Sequence, residues 1–549
     1  MTTKALRVDS RDNVIIALTD FRQGEPFAFV GENFTFASDV LAKHKFANRD
    51  LVPGDAIIMY GVVVGKAVVP IARAEAITTR NIRHEASEFH SREGGFRWTP
   101  PDVSKWKAST FSGYHRSDGR VGTRNHWIVL PLVFCENRNL NVLKQAFEEE
   151  LGFAAPQIYR RQVGELVRLH LAGKTSEIAN HIFSPKPAPD VLQRIFPNVD
   201  GIKFLLHEAG CGGTHEDARN LCGLLAGYIC HPNVAGATVL SLGCQHAQIA
   251  MLMEEVKKRA PNFDKPILIY EQQKSASEMA MMSQAVKDTF LGLVEANKSE
   301  RKPASISHLT VGLKCGGSDG FSGITANPAI GHTADLLAAL GGIGILSEFP
   351  ELCGVEQELI NRALSDEVGE RFIHLMRDYA ARAKAVRSGF EMNPSPGNIR
   401  DGLITDAMKS AGAAKKGGTS PVTDVLDYPD RSSTPGLNLL CTPGNDVECV
   451  TAQTAAGANF VLFTTGLGTP TGNPITPVMK ISSNANLAAR MPDIIDFDTG
   501  SIVSGATTIE KTGEAILESI LRFASGEIHT KAEQLSQDDF IPWKRGVSL

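Results

Sequence analysis

From Gly113 onward, the chain alternates short apolar runs of strand type with longer stretches of helical periodicity. Residues 128–133, for example, form an apolar run, and residues 217–228 have helical spacing. This rhythm predicts βαβ units and mostly parallel sheets. A polar stretch near residue 300 interrupts the rhythm, which then resumes. We therefore expect two α/β domains, over residues 113–300 and 301–549.

The N-terminal part of the chain has a different pattern. Residues 1–77 alternate short apolar runs with glycine-containing turns, which is typical of a small β-rich domain. Residues 78–112 are polar and contain Gly94-Gly95 and Pro100-Pro101, which predicts a linker along the surface. A chain of 549 residues is too long for one hydrophobic core. The predicted fold is thus a β-rich domain followed by two α/β domains.

Charge and cysteine content exclude several classes of protein. The net charge is −5, which favours neither nucleic acid nor an anionic membrane surface as a partner. Apolar runs are much shorter than the about 20 residues of a membrane-spanning helix, and the first residues lack a signal-peptide pattern. Nine cysteines without a CxxC pair argue against a disulfide framework or a zinc ribbon. We expect a cytoplasmic protein, and enzymes of this size are commonly homo-oligomers.

Several predicted strands end in dense polar loops, most of which contain glycine. These loops lie at residues 207–213, 243–246, 315–320, 347–351, 442–446 and 464–470. Sites in open α/β sheets collect at the carboxyl ends of strands, and glycine lets backbone approach a ligand closely. Six such loops in one chain predict a large polar cleft.

Cysteine follows a predicted strand in three of these loops, as Cys211, Cys244 and Cys315. Three thiolates can form one face of a metal or cluster site. His207 shares a loop with Cys211 and is a further candidate ligand. The alternative interpretation is that these are small buried core residues and a hydrogen-bonded histidine.

Longer motifs resemble one enzyme family. They are Gly113-Tyr114 with residues 117–125, the run 314–328 around Cys315, the segment 393–398, and Pro443-Gly444-Asn445-Asp446. These residues resemble the altronate/galactarate dehydratases, which dehydrate sugar acids. Residues 12–14 and His44-Lys45 resemble the small SAF-type domain of that family. The likeness extends over roughly residues 8 to 525.

The resemblance implies a β-elimination. A base removes the proton α to a carboxylate, the β-hydroxyl leaves as water, and a 2-keto-3-deoxy acid forms. The developing enediolate needs electrostatic stabilisation, which a metal can supply. The resemblance implies Fe²⁺. Three cysteine loops also suit an iron–sulfur cluster, and another divalent metal such as Mn²⁺ is a further alternative.

Roles for individual residues follow from these loops. Asp319, Glu348 and Asp446 are candidate catalytic acids, bases or metal ligands, and capping of their own loops is the alternative. Lys409 becomes a candidate base if burial lowers its pKa, whereas a solvated surface lysine is the alternative.

Two sets of residues are candidates for binding the substrate. Arg120, Arg124 and Asn125 suit a carboxylate, since arginine offers bidentate geometry; an ion pair at a domain junction is the alternative. Thr464, Thr465 and Thr469 suit sugar hydroxyls, although threonine in a turn often bonds its own backbone.

This chain departs from the family pattern at positions of chemical interest. Asp9 stands where the small domain usually has histidine, and Gln245 replaces glutamate. Leu467 and Ile399 replace an arginine and a lysine, which removes positive charge. Binding of a dicarboxylate should require more positive charge, so these losses favour D-altronate over galactarate as the substrate.

Two alternatives remain open at this point. Within the superfamily, the chain is a galactarate dehydratase or a lyase for a sulfolactate-type 2-hydroxy acid. In a different class, it is a non-catalytic sugar-acid binding protein, which the replaced arginine, lysine and glutamate favour. The intact run around Asp319 and the cysteine loops count against that class.

Overall fold

The computed structural model describes residues 4–155, 157–183 and 193–548. The N-terminal domain consists of eight short strands: β1 (Ala5–Leu6), β2 (Val14–Ala17), β3 (Pro26–Phe29), β4 (Glu32–Thr35), β5 (Lys45–Ala47), β6 (Ala56–Met59), β7 (Val62–Ala67) and β8 (Ile82–Arg83). They pair antiparallel in small sheets, β1-β2-β5, β3-β4 and β6-β7-β8. In its core Phe21 stacks on Phe36, with ring centroids 4.3 Å apart, and Phe46 contacts both rings edge-on.

A surface segment connects this domain to the remainder. The backbone N–H of His90 donates to the Gln357 side chain, and Arg92 pairs with Asp366 at 2.8 Å. The segment therefore lies against the C-terminal domain, as a linker along the surface should.

The second domain contains a four-stranded parallel sheet in the order β12-β11-β13-β14. In chain order its elements are β9 (Thr110–His115), β10 (Val121–Gly122), β11 (His126–Pro131), α1 (Asn137–Glu150), α2 (Ile158–Leu171), β12 (Gly201–Phe204), α3 (His215–Ile229), β13 (Val234–Ser241), α4 (Ile249–Arg259), β14 (Ile267–Glu271), α5 (Glu278–Ala296) and β15 (Lys302–Ser305). The strand β9 pairs antiparallel with both β10 and β15.

The C-terminal domain contains a seven-stranded parallel sheet in the order β18-β19-β17-β16-β20-β21-β22. Its elements are β16 (Thr310–Cys315), α6 (Ala326–Ala339), β17 (Ile343–Leu346), α7 (Glu356–Asn361), α8 (Asp366–Ala385), α9 (Pro396–Arg400), α10 (Asp406–Ala413), β18 (Val422–Leu426), β19 (Gly436–Leu440), α11 (Asp446–Ala455), β20 (Phe460–Thr465), β21 (Val478–Ser482), α12 (Ala485–Arg490), β22 (Phe497–Asp498), α13 (Ile509–Ala524) and α14 (Lys531–Gln534).

The central strands of this sheet are buried on both faces. Every residue of β19, β20 and β21 is buried, as expected for a parallel sheet that helices cover on both sides. The predicted α/β class, with a β-rich N-terminal domain and two mostly parallel sheets, is confirmed. No helix in the described part of the chain has the length and apolar character that crossing a membrane requires.

Candidate active site

The carboxyl ends of β16, β17 and β19 form the floor of the candidate site. The strand β16 ends in Lys314 and Cys315, Glu348 follows β17, and Asp446 begins α11 after β19. Because these strands are parallel neighbours, their ends meet at one edge of the sheet. The loops after these three strands therefore meet, whereas the predicted loops at residues 207–213 and 243–246 follow strands of the four-stranded sheet.

Two buried lysines neutralise Glu348 from either side. Lys314 Nζ pairs with one Glu348 carboxylate oxygen, and Lys416 Nζ lies 2.6 Å from the other. Lys314 also lies 2.9 Å from Asp446 Oδ1, and Lys416 lies 2.8 Å from Cys315 Sγ. Glu348 and Lys314 are fully buried. Charges at this depth persist only when paired, and these groups satisfy one another.

Glu351 and Lys409 form a second ion pair, at the wall of a cleft. Lys409 Nζ lies 2.8 Å from Glu351 Oε1 and donates to Asn393 Oδ1 at 2.6 Å. The Cys315 thiol lies 3.3 Å from the other Glu351 oxygen. Glu351 and Lys409 both line this cleft.

Burial and charge set the ionisation of these groups in opposite ways. Burial alone would raise the pKa of Glu351, but Lys409 and the two other buried lysines lower it overall. Burial alone would lower the pKa of Lys409, but the Glu351 carboxylate raises it overall. Burial and the Glu348 charge raise the pKa of Cys315 to about 12. The resting pair is thus a carboxylate and an ammonium group next to a neutral thiol.

The cleft beside this pair has a volume of about 650 Å³, which accommodates a small sugar acid. Glu351, Asn393 and Lys409 line it from the cluster side. Trp543 and Lys544, in the C-terminal segment, also line it. The cleft therefore combines hydrogen-bonding groups, a buried ion pair and an exposed lysine.

Glu348 adopts a left-handed backbone conformation, with φ +67° and ψ +58°. This conformation costs a non-glycine residue on the order of 1 kcal/mol, and such residues cluster at functional sites. Its N–H donates to Thr442 Oγ1 at 3.0 Å. The turn directs the Glu348 carboxylate back to Lys314 and Lys416.

The site contains four residues that the sequence singled out: Cys315, Glu348, Lys409 and Asp446. It also contains residues that sequence reasoning did not select, namely Lys314, Glu351, Asn393 and Lys416. Three of these lie inside motifs that carried the family resemblance or the loop pattern. Lys416 lies just after α10 and carries no local signal that its side chain is buried.

Asp319 has a different environment from the one expected of a catalytic residue. It is fully buried and accepts hydrogen bonds from Ser322, Ser483 and Asn484. Its second oxygen lies 3.0 Å from Lys43 Nζ of the N-terminal domain. Asp319 therefore caps its own loop and joins two domains.

The threonines serve mainly to shape the loop after β20. Thr465 Oγ1 accepts from the backbone N–H groups of Leu467, Gly468 and Thr469. Thr464 is buried, and its hydroxyl donates to Asn327. Thr469 is half-buried in the same loop. For Thr465, the structure therefore matches the alternative interpretation, in which a turn threonine bonds its own backbone.

Arg120, Arg124 and Asn125 do not lie at the carboxyl ends of strands, where a substrate site was expected. They precede β11 and so lie at the amino edge of its sheet, whereas the candidate site lies at carboxyl ends. Arg124 is buried and bonds both carboxylate oxygens of Glu533, at 2.6 and 3.1 Å. Arg120 pairs with Asp118. The Asn125 amide donates to two backbone carbonyls. The domain-junction alternative fits Arg124, whereas the contacts of Arg120 and Asn125 given above lie within the second domain.

The cysteines expected to bind one metal belong to two different sheets. Cys211 follows β12 and Cys244 follows β13, both are exposed, and Cys315 is buried at the end of β16. The predicted domain boundary near residue 300 lies between Cys244 and Cys315, so it already separated these loops. His207 uses both ring nitrogens on backbone groups, those of Pro131 and Ala209. A metal would have to displace one of them.

Cys315, Glu348 and Glu351 form a possible buried metal-binding triad, whose ligand atoms all lie within 4.8 Å of one another. Ammonium groups already face these ligand atoms, and they come from Lys314, Lys409 and Lys416. Three carboxylates and three ammonium groups balance in the cluster, so an added divalent cation would leave buried excess charge. As arranged, the triad therefore does not fit a divalent metal.

Known proteins match this chain over nearly its whole length. The altronate/galactarate dehydratase SAF domain matches residues 3–85. The second domain of D-galactarate dehydratase/altronate hydrolase matches residues 113–297, and the C-terminal domain of D-galactarate/altronate dehydratase matches residues 306–548. These ranges agree with the order of domains in the fold.

Individual relatives give the same result. Altronate dehydratase of Bacillus subtilis is 32% identical over 99% of both chains, and that of Escherichia coli is 31% identical over 99% of both. Galactarate dehydratase (L-threo-forming) of Escherichia coli is 30% identical over 96% of this chain and 94% of its own. The resemblance seen in the sequence motifs is confirmed, and the chain belongs to the altronate/galactarate dehydratase family.

Proposed function

We propose that this chain is a hydro-lyase that converts a sugar acid of the D-altronate type to a 2-keto-3-deoxy acid and water. The Glu351–Lys409 pair at the cleft carries this proposal, because it supplies a base and an acid side by side. Relatives named altronate dehydratase, similar over the full chain, support the substrate class.

In the proposed reaction, the Glu351 carboxylate accepts the proton from C2 of the substrate. The substrate carboxylate places a second negative charge near Glu351, and a like charge raises the pKa of a carboxyl group toward that of a useful base. The ammonium group of Lys409 stabilises the enediolate as it forms, since it lies at the edge of a desolvated cluster.

Lys409 then donates a proton to the C3 hydroxyl, which leaves as water, and the enol becomes the keto acid. At this stage Glu351 is protonated and Lys409 is neutral. Their 2.8 Å hydrogen bond allows the proton to return from Glu351 to Lys409, which restores the resting ion pair. The cycle is balanced without another proton source.

The cations around the cleft favour a substrate with a single carboxylate. Arg382 and Arg545 line the cleft but pair with Asp378 and Asp427, whereas Lys544 is exposed at the wall. Leu467 supplies no charge where the family pattern has arginine. We therefore place D-altronate ahead of galactarate and of sulfolactate-type acids.

The remaining predictions belong to the same proposal. We expect a cytoplasmic homo-oligomer that acts on a small molecule. Iron, as Fe²⁺ or in an iron–sulfur cluster, is the expected metal rather than Mn²⁺. Because lysines occupy the buried triad, no step of the reaction above depends on a metal there.

A substrate panel tests the proposal. The anaerobically purified protein would be incubated with aldonic, aldaric and sulfo-hydroxy acids, and 2-keto acid formation would be followed. We expect the highest kcat/KM for D-altronate. A preference for galactarate or sulfolactate would overturn the substrate assignment. Binding of sugar acids without any product would overturn the enzyme assignment and favour a binding protein.

A further inference from the structure

A cavity of about 160 Å³ lies at the junction of the second and C-terminal domains. Arg120 and Pro232 of the second domain line it, together with Thr310, Ile343 and Arg431 of the C-terminal domain. Thr310 and Ile343 are the first residues of β16 and β17. The cavity therefore lies at the amino ends of these strands, about 17 Å along β16 from the candidate active site.

The lining of this cavity is cationic and contains several hydroxyl groups. Arg120 and Arg431 supply the charges, and Ser307, Thr310 and Ser433 supply hydroxyls. Among the residues that the structure describes, no carboxylate lines the cavity. An anion bound there would meet positive charge and hydrogen-bond donors, without a negative side chain in the lining.

Further cations lie behind this lining, around the end of α3. Burial raises the pKa of the Cys230 thiol overall, and the charges of Lys265, Arg120, Arg259 and Arg431 all oppose that rise. Four cations are therefore within electrostatic reach of one buried atom.

Ion pairs and helix ends account for part of this cluster. Arg120 pairs with Asp118, and Arg259 pairs with Glu255. Arg120 Nη2 also donates to Cys230 O, at the C-terminus of α3, at 2.6 Å. Helix C-termini favour cations, so capping is the alternative interpretation of these side chains.

Capping uses only one nitrogen of Arg431. Its Nη1 donates at 2.8 Å to the carbonyl of Arg259, the last residue of α4. Within the described ranges, Nε and Nη2 of Arg431 have no hydrogen-bond partner, and this edge of a guanidinium group binds phosphate in bidentate geometry. Burial and the charge of Arg120 both lower the pKa of Arg431, as expected of two cations that repel each other.

Lys265 shows the same excess of positive charge. Its Nζ donates to the backbone carbonyl of His231 at 2.7 Å, and this carbonyl carries no net charge. Burial, followed by the charges of Arg116 and Arg120, lowers the pKa of Lys265 well below its ordinary value. A bound anion would offset the repulsion that the carbonyl leaves in place.

We propose that this cavity binds a phosphate group, which Arg120 and Arg431 hold from the two sides of the domain junction. A phosphate group carries about −1.5 to −2 charges at pH 7, so it offsets more of the excess positive charge than a single carboxylate does. Free phosphate and a phosphate monoester present the same group to the two arginines. The proposal is independent of the dehydratase reaction, because these residues lie at the opposite ends of the strands.

Calorimetric titration of the full-length chain tests the proposal. Inorganic phosphate and, separately, glycerol 3-phosphate would be added at constant ionic strength. We expect one saturable site per chain, with a Kd of about 1 mM or lower for at least one of them. Tighter binding of the ester would identify a phosphorylated metabolite as the ligand, and equal or tighter binding of inorganic phosphate would identify the free anion. Absence of saturable binding of both up to about 10 mM would overturn the proposal.

Arginine variants locate the site, because the active-site cleft also contains cations. Arg431→Gln should weaken phosphate binding at least about tenfold, since charge-assisted hydrogen bonds are lost. Arg80→Gln, which removes the same charge at an exposed position, is the matched control and should keep the wild-type Kd. A wild-type Kd in Arg431→Gln would overturn the assignment.

Ser433→Asp provides a second test that leaves both arginines in place. Ser433 is exposed at the wall of the cavity, so the added carboxylate should repel phosphate or pair with Arg431 and weaken binding about tenfold. Circular dichroism would establish that each variant is folded. Unchanged phosphate affinity in folded Ser433→Asp would contradict the proposed site.

Discussion

At the scale of single residues, three buried lysines dominate the candidate site. Lys314 and Lys416 hold Glu348 between them, and Lys409 pairs with Glu351. Removing one partner of a buried pair leaves an uncompensated charge, which destabilises a protein by about 3–5 kcal/mol. These lysines should therefore contribute to stability as well as to the site.

Lys416→Met tests this contribution. We expect the free energy of unfolding in urea to fall by about 3 kcal/mol, because Glu348 and Cys315 lose their common partner. Lys415→Met, at the neighbouring half-buried position, is the control and should change stability by about 0.5 kcal/mol or less. Equal effects of the two variants would contradict the charged cluster.

Part of this site could be predicted from single residues, and part could not. Cys315, Glu348 and Asp446 follow strands, so their loops signalled a shared edge. Lys416 could not be recognised, because burial of a lysine depends on which helices and strands pack around it. Arg124 and Asp319 form ion pairs across domains, with Glu533 and Lys43, and the partners in such pairs leave no local pattern in the sequence.

At the scale of elements, close approach of strand ends requires glycine. A Cβ on Gly316, just after β16, would lie 2.5 Å from Phe463 Cζ and 2.6 Å from both Asp446 carboxylate oxygens. Alternating strands and helices could be predicted from sequence, since periodicity is local. The order of the strands within each sheet could not be predicted from sequence. This order decides which loops become neighbours.

Gly316→Ala tests the approach of α11 to β16. The added methyl group should push Asp446 away from Lys314, which lowers the free energy of unfolding by about 1–3 kcal/mol and reduces kcat. Gly94→Ala, where a Cβ would have no atom within 4 Å, is the control. If both variants unfold at the same urea concentration, this packing argument fails.

At the scale of the whole molecule, ion pairs join the domains. Lys43 of the N-terminal domain reaches Asp319, and Arg124 of the second domain reaches Glu533 near the C-terminus. The order of domains was predictable from composition and pattern. The contacts between the domains depend on three-dimensional packing, so they could not be predicted from the sequence.

Glu533→Gln tests the junction and its pH dependence. Burial alone would raise the pKa of Glu533, but Arg124 lowers it well below its ordinary value. A carboxyl group with a lowered folded-state pKa stabilises the protein above its unfolded pKa, about 4.3, and this stabilisation is lost as the pH falls through the folded pKa. We expect wild type to exceed the variant by about 3 kcal/mol at pH 7, with the difference shrinking below about pH 4.

The control for this variant is Glu527→Gln, which removes an exposed pair with Arg522. Exposed pairs contribute at most about 1 kcal/mol. A difference between wild type and Glu533→Gln that stays constant down to pH 3 in urea unfolding would show that ionisation of Glu533 does not stabilise the junction.

The measurement that most directly tests the account is the kcat of Glu351→Gln for the dehydration of D-altronate. Glutamine keeps the size of the side chain but cannot accept the C2 proton. We expect a fall of at least about 100-fold relative to wild type. Glu358→Gln, which changes a partly exposed glutamate on the nearby helix α7, should keep wild-type kcat. A folded Glu351→Gln variant with near wild-type kcat would contradict the proposed role of the Glu351–Lys409 pair.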